Sequence, residues 1–446
     1  MQLDLTRGNI KDHMKTLAIP ATIGFLFHTL YNVTDTYFAG QVSTQALAAL
    51  SLSFPVFFMV IAVAGGMSEA LTALVGNALG ENEKEKAAHY AKNGLLFGLL
   101  LSLLLTAVGV FSVPFLMQQL GAEGSYLEQA VGYTSTIVMG TLLFVGTFFA
   151  NALLNSVGDM VSFRNILIVS FFLNIGLDYY FVASGFGVVG IAYATLVTET
   201  LSMLYLLYRL QRTTLLHCLR RFRLDLPLFW HITTQGIPPS ANMVFMAIGV
   251  YIITYYASPY GESVVAALGI GMRIEQMALM PAVGINMAVL AIVSQNSGAR
   301  RYERAEEAVK VGLINGAYIA IISAFALIFG GSYFIGLFSS DAEVIAQGVI
   351  YLYVEAALVF PFVVIFIYVA LLQAIKRPKF IFYLALARQI ILPLLLLEIV
   401  SYYIRMPLAV WIVVGLIVSF SALVIWWYGR RELALLKKQN ETGTHG

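Results

Sequence analysis

Asp35 lies in a run, residues 15–40, that is otherwise long and apolar enough to cross a bilayer. An Asp at the centre of a membrane helix costs roughly 2.5 to 3.5 kcal/mol on insertion scales, so such residues are rare and usually face a bundle interior or a wet cavity. On a helix, Asn32 at i−3 and Tyr31 at i−4 share its face and give the acid polar company. A second acid, Asp178, stands four residues after Asn174, which puts both on one face of another apolar run. At 1.5 Å per residue, Asp35 and Asp178 each lie roughly 7 Å inside one boundary of the membrane, and Tyr133 and Thr195 roughly 10 Å inside the same boundary. These five side chains therefore occupy one layer. Two carboxylates sharing a desolvated cavity repel, so the pair is expected to hold a proton near neutral pH, which is a proton-coupling device. The same atoms around Asp35, Asp178, Asn174 and Thr195 would also form an oxygen cage for sodium. The competing reading is a satisfied, purely structural polar knot.

Other charges inside apolar runs point less clearly to chemistry. Arg273, Glu275 and Glu355 either line a cavity in the second half of the chain or pair with one another, and Glu199 is a candidate for facing a central cleft, as is Asn32. Glu69 is expected at an interface, while Arg388 and Glu398 carry no assignment. The histidines are scattered, and neither metal-ligand spacing nor a nucleophile motif occurs, so no metal, cofactor or enzymatic centre is expected.

These residues need a scaffold, and composition defines it. With 59% hydrophobic and 11% charged residues over 446 positions, the chain is a polytopic helical membrane protein, since soluble domains carry about 25% charged residues. Hydropathy predicts twelve spans, at residues 14–39, 45–76, 92–113, 127–155, 161–183, 188–209, 233–257, 262–295, 308–330, 345–373, 380–401 and 406–428. The second, fourth, eighth and tenth exceed the roughly 20 residues a bilayer needs and are expected to tilt or project. Pro20 predicts a kink in the first. Twelve crossings place every Lys and Arg on one side except Arg405, on the other, and Arg273 and Arg388, within spans. The positive-inside rule then puts both termini in the cytoplasm. The single cysteine, Cys218, excludes an intramolecular disulfide and falls in an arginine-rich connector expected to be cytoplasmic. A cleavable signal peptide is not expected, because the first apolar run is too long and is followed by further spans.

The chain also repeats itself. A shift of 218 residues aligns Ile19 and Pro20 with Ile237 and Pro238, Thr36 and Tyr37 with Thr254 and Tyr255, Gly66 with Gly284, Tyr133 with Tyr351, and 152–154 with 370–372, all without a gap. Six spans per repeat give both halves the same orientation, hence two lobes related by an axis along the membrane normal. The expected division is an N-lobe at 1–209, a cytoplasmic connector with a short amphipathic helix at 210–232, a C-lobe at 233–430 and a cytoplasmic tail at 431–446. At the same offset Asp35 meets Ile253, Asn174 meets Leu392 and Asp178 meets Leu396. The scaffold is duplicated and the polar cluster is not, which separates chemistry from packing.

Two six-span repeats, the opening LTRGNIKDHMKTLAIP, the segments YNVTDTYFAG and AALSLSFP, and NIGLDYYFV ahead of GVVGIAYATLV together resemble the multidrug and toxic compound extrusion (MATE) family, over essentially the whole chain. The resemblance is to its DinF-like branch, whose N-lobe network falls on Asp35, Tyr133, Asn174, Asp178 and Thr195. NorM-type relatives use C-lobe acids on spans seven and ten. Here span seven has none and Glu355 does not match the expected span-ten position, so a C-lobe sodium site of that kind is not expected. The resemblance implies a monomeric antiporter of the cell membrane, the inner membrane in a Gram-negative cell, that exports cationic, lipophilic organic compounds in exchange for protons or sodium. It implies small-molecule and lipid partners and no nucleic acid. Alternating access would be a rocking of lobes, with a bend at Pro20 as the local switch. Span acids outnumber span bases, which favours a cationic guest. Two alternatives stand beside this: a lipid-linked precursor flippase of the same superfamily, for which a more basic cleft is expected, and an integral-membrane enzyme, which would need clustered His, Asp or Ser at one interface.

Overall fold

The computed structural model describes residues 3–217, 223–404 and 406–442, and these form helices joined by short turns, with no strand among them. Cys218, Arg220, Arg221 and Arg405 lie outside the described residues. In chain order the helices are α1 (Ile10–Val42), α2 (Thr44–Gly80), α3 (Lys84–Gln119), α4 (Gly124–Met139), α5 (Thr141–Ser156), α6 (Val161–Ala183), α7 (Gly187–Gln211), α8 (Thr214–His217), α9 (Leu226–Ala257), α10 (Glu262–Gly298), α11 (Tyr302–Gly336), α12 (Ala342–Ala374), α13 (Lys379–Leu386), α14 (Leu392–Tyr403) and α15 (Pro407–Thr442). Eleven segments are long and apolar enough to span a membrane, and α4 with α5, bent by 42° at their junction, makes the twelfth. All-α, twelve-span architecture is thus what the apolar runs build.

The repeat is visible in backbone geometry as well as in residue identity. Shifting α2 by 218 residues reproduces the bounds of α10, and α4 with α5 covers the same stretch as α12. Left-handed residues recur at that offset: Asn82 with Arg300, and Gly158 with Lys376. Each closes a helix in the same way. Glu83 N donates to Ala78 O and Arg301 N to Asn296 O, while Asp159 N donates to Leu154 O and Arg377 N to Leu372 O, the six-to-one bond that satisfies end carbonyls. Helix starts are capped by side chains where the turns are polar: Ser43 Oγ accepts from Ala46 N at 3.0 Å, Asp225 Oδ1 from Leu228 N at 2.9 Å, and Asp341 Oδ1 from Glu343 N at 2.8 Å. His89, bonded to the other Asp225 oxygen at 2.9 Å, holds that carboxyl below the usual carboxylate range.

The chain forms two compact units. The first comprises Met1–Asp4 and Ile23–Ser240, the second Leu5–Thr22 and Ala241–Gly446. The first packs around Leu71, Val145, Phe149, Leu153, Leu154 and Leu206. The second packs around Leu268, Leu352, Val359, Leu397, Trp411 and Ile417. This partition differs from the expected lobes at both joints: residues 5–22 belong with the second unit, and α9 up to Ser240 with the first. A glycine explains each exchange. A Cβ on Gly284 of α10 would lie 2.2 Å from Thr22 Oγ1 and 2.7 Å from Ala18 O; a Cβ on Gly66 of α2 would lie 2.2 Å from Ser240 Oγ and 2.8 Å from Gly236 O. These four partners are themselves related by the 218-residue offset.

Three further details go beyond the expected map. The fourth span is broken at Gly140, where a Cβ would lie 2.0 Å from Leu196 Cδ2, so the glycine lets α7 pack into the bend. A π-helical turn at Ala387–Ile391 joins α13 to α14, and such turns are often found at functional sites. Of the expected tail, 431–446, the described part continues α15 as regular helix to Thr442, and residues 443–446 lie outside the described residues. α1 runs through Pro20 as one helix, divided between the units two residues later.

Candidate functional site

The first unit brings the five-residue layer together. Asp35 from α1, Tyr133 from α4, Asn174 and Asp178 from α6 and Thr195 from α7 are all buried, Asn174 and Asp178 completely. Thr195 Oγ1 lies 3.3 Å from Asp35 Oδ2, as a donor, and 3.0 Å from its own Ile191 carbonyl. The Asp35 carboxylate faces Asp178 and Asn174, and the Tyr133 hydroxyl lies in the field of both acids. The Tyr133 ring is held by apolar packing with Ala39, one turn beyond Asp35, and Ile191, one turn before Thr195. Among the described residues, Asp35 Oδ1, both Asp178 oxygens and both polar atoms of Asn174 are buried without a well-formed hydrogen bond. Buried polar atoms are rarely left so. Two acids, an amide and a hydroxyl with spare lone pairs can take up a proton or a small cation and little else.

The neighbours sort differently from the expected face. Tyr31 is buried beside Asp35, and its hydroxyl pairs with Thr198 Oγ1 at 2.7 Å, so α1 and α7 are fastened one turn below the acid. Asn32 instead points to exposed surface and donates to His28 O at 2.8 Å. The packed face of α1 ends between Asp35 and Asn32, which lie 60° apart on the helix. Glu199, half-buried one turn after Thr195, accepts from Thr147 Oγ1 at 3.2 Å.

The second unit contains another acidic pair. Tyr351 O–H donates to Glu275 Oε2 at 2.7 Å, and Glu355, one turn beyond Tyr351 on α12, is buried with Oε2 unpartnered and within reach of both. Arg273 is exposed and lies on the opposite side of α10 from Glu275, two residues away, so it does not neutralise the pair. Sequence reasoning passed over Tyr351, although the repeat aligns it with Tyr133. The duplicated tyrosine serves two different pairs of acids, borrowed from different helices in each unit. Glu398 accepts from Tyr256 O–H at 2.7 Å and is accounted for by that bond.

Twelve spans in two repeated halves, with acids buried inside the membrane and their oxygens unsatisfied, define a secondary transporter. The chain belongs to the MatE family, whose profile matches residues 20–180 and again 238–397, two stretches starting 218 residues apart. It is 27% identical over 403 residues to the FAD transporter of Shewanella oneidensis, covering 86% of this chain and 87% of that one. It is 23% identical to the multidrug export protein MepA of Staphylococcus haemolyticus, covering 86% and 85%. Among solved structures, a MOP superfamily transporter from Pyrococcus furiosus superposes with a TM-score of 0.92 at 26% identity, over 98% of each chain.

Proposed function

We propose that this MatE transporter is a proton-driven antiporter that exports cationic, lipophilic organic compounds from the cytoplasm, and that its coupling site is Asp35, Asp178, Asn174, Tyr133 and Thr195. The observation that carries the reading is the Asp35–Asp178 pair, buried and adjacent, with three of its four oxygens lacking a well-formed hydrogen bond among the described residues. Protonation from outside neutralises the pair, weakens its hold on a cation and frees α1 to rearrange; release of the proton inside restores the charge. Substrate and proton occupancy therefore oppose each other reciprocally. The site lies wholly in the repeat that carries the resemblance to the DinF-like branch. The transporter would work as a monomer in the cell or inner membrane with both termini cytoplasmic, an orientation that the bias of Lys and Arg to one side supports.

The test is export by purified protein in sodium-free vesicles with an imposed proton gradient. Full-rate movement of an organic cation is expected; strict dependence on sodium assigns the oxygen cage to that ion and overturns proton coupling. A second substrate reading, an anionic flavin dinucleotide, draws on the FAD-transporting relative and on Arg388, buried in the π turn of the second unit. Vesicles that move flavin dinucleotide and leave organic cations untouched would establish it.

A further inference from the structure

A cavity of about 1030 Å³ opens in the second unit between the start of α11, Tyr368 of α12 and the C-terminal half of α15. It stands where the apolar run of α15 gives way to charge. Trp426 and Trp427 end that run and are exposed, as aromatic residues are at the membrane–water boundary. One turn on, the Arg430 and Arg431 guanidinium groups lie over the two indole rings, 5.1 Å and 5.7 Å from their centroids. Stacking orients a guanidinium while leaving its N–H edge free for an oxyanion, which is the geometry that suits a phosphate.

The opposite wall is acidic. α11 contributes Glu303, Glu306, Glu307 and Lys310, and of these Glu306 is held in an ion pair by Lys437, which leaves two carboxylates and one ammonium on this wall. Glu303 and Glu307 are exposed, one turn apart on the same face. A cavity at the headgroup level that presents two arginines on one wall, and on the other two carboxylates that outnumber the single Lys310, matches a zwitterion. Phosphatidylglycerol would satisfy the arginines and bring no cation to the acids; choline would offer the acids no N–H.

We propose that this cavity binds a membrane aminophospholipid of the phosphatidylethanolamine class, its phosphate diester on Arg430 and Arg431 and its ammonium on Glu303 and Glu307, with the glycerol end against Trp426 and Trp427. The site lies apart from the acidic layer of the first unit and does not depend on the coupling ion.

Native mass spectrometry of the delipidated full-length protein, titrated in parallel with phosphatidylethanolamine, phosphatidylglycerol and phosphatidylcholine, tests it. Preferential retention of one phosphatidylethanolamine with a rise in Tm is expected, and glycerophosphoethanolamine, which lacks acyl chains, should compete only weakly. The double variant R430Q/R431Q should lose retention about tenfold, the equivalent of one charge-assisted contact. E303Q/E307Q should keep phospholipid binding and lose the preference for phosphatidylethanolamine over phosphatidylglycerol. All four side chains are exposed, so neither variant disturbs the packed core. Equal retention of phosphatidylglycerol by the wild type, or unchanged retention by R430Q/R431Q, overturns the proposal.

Discussion

Asp35→Asn separates titration from shape. The amide fills the same space and can still accept from Thr195, and a neutral group is less costly to bury in the membrane than a charge. Were the acid structural, the variant would transport at the wild-type rate. If it exchanges a proton for substrate, export collapses while expression and Tm hold or rise. Asp178→Asn should impair export as well, with the double variant little worse than either single, because groups acting as one unit are non-additive. Ile253→Val, at the position the repeat aligns with Asp35, should leave export near wild type. Drug efflux together with the Tm of each purified variant decides the matter, and wild-type export by well-expressed Asp35→Asn would falsify the assignment. The acids themselves were readable from sequence, because a carboxylate in an apolar run announces itself. Tyr31 was legible as polar company for Asp35 but its bond to Thr198 was not, and Tyr351 was missed, since a tyrosine in such a run looks like packing until its hydroxyl is seen on Glu275.

At the level of helices, the repeat carried most of the fold, and the features it hid are those that break periodicity. Nothing in a hydropathy profile marks the 42° bend at Gly140 or the π turn at Ala387–Ile391, because both preserve the apolar run while changing backbone hydrogen bonds. The exchange of helix halves was also hidden, although its cause was in plain view as the aligned pair Gly66 and Gly284. Each admits a neighbouring backbone: Ala18 and Thr22 of α1 against Gly284, Gly236 and Ser240 of α9 against Gly66. A side chain has no room there, since the nearest atoms include backbone that cannot rotate away. Gly284→Val and Gly66→Val should each lower stability by about 1–3 kcal/mol, the range for overpacking, and reduce export in proportion. Gly40→Ala, where a Cβ meets nothing within 4 Å, is the matched control. Thermal unfolding in detergent reads the difference, and indistinguishable Tm values for Gly284→Val and Gly40→Ala would remove the close approach as the reason for the exchange.

Across the whole molecule the distribution of charge supports the proposed orientation. The turns after α2, α5, α10 and α12 contain the left-handed residues Asn82, Gly158, Arg300 and Lys376, and twelve crossings put all four turns on the side of the termini. Bases cluster there and are fastened to nearby acids: Lys86 to Glu81 and Glu83, Arg209 to Asp159 at 3.0 Å, Arg377 to Glu432. The Glu81 and Glu83 carboxylates raise the Lys86 ammonium above the usual lysine range, so this base stays charged at any physiological pH. The opposite turns are short and poor in Lys and Arg; that after α3 runs Leu120–Gly121–Ala122–Glu123. Positive residues near span ends resist translocation, so the orientation proposed above puts the basic side in the cytoplasm. A reporter fused after Lys438 should therefore read as cytoplasmic, and one inserted at Glu123 as external. The two sites sit at opposite ends of their spans, so a miscounted span would move one reading and leave the other. Both sites reporting from the same side would mean an even number of crossings between them, as when α4 and α5 do not cross together as one bent span; reversal of both would invert the molecule and with it the direction in which Asp35 and Asp178 meet the proton.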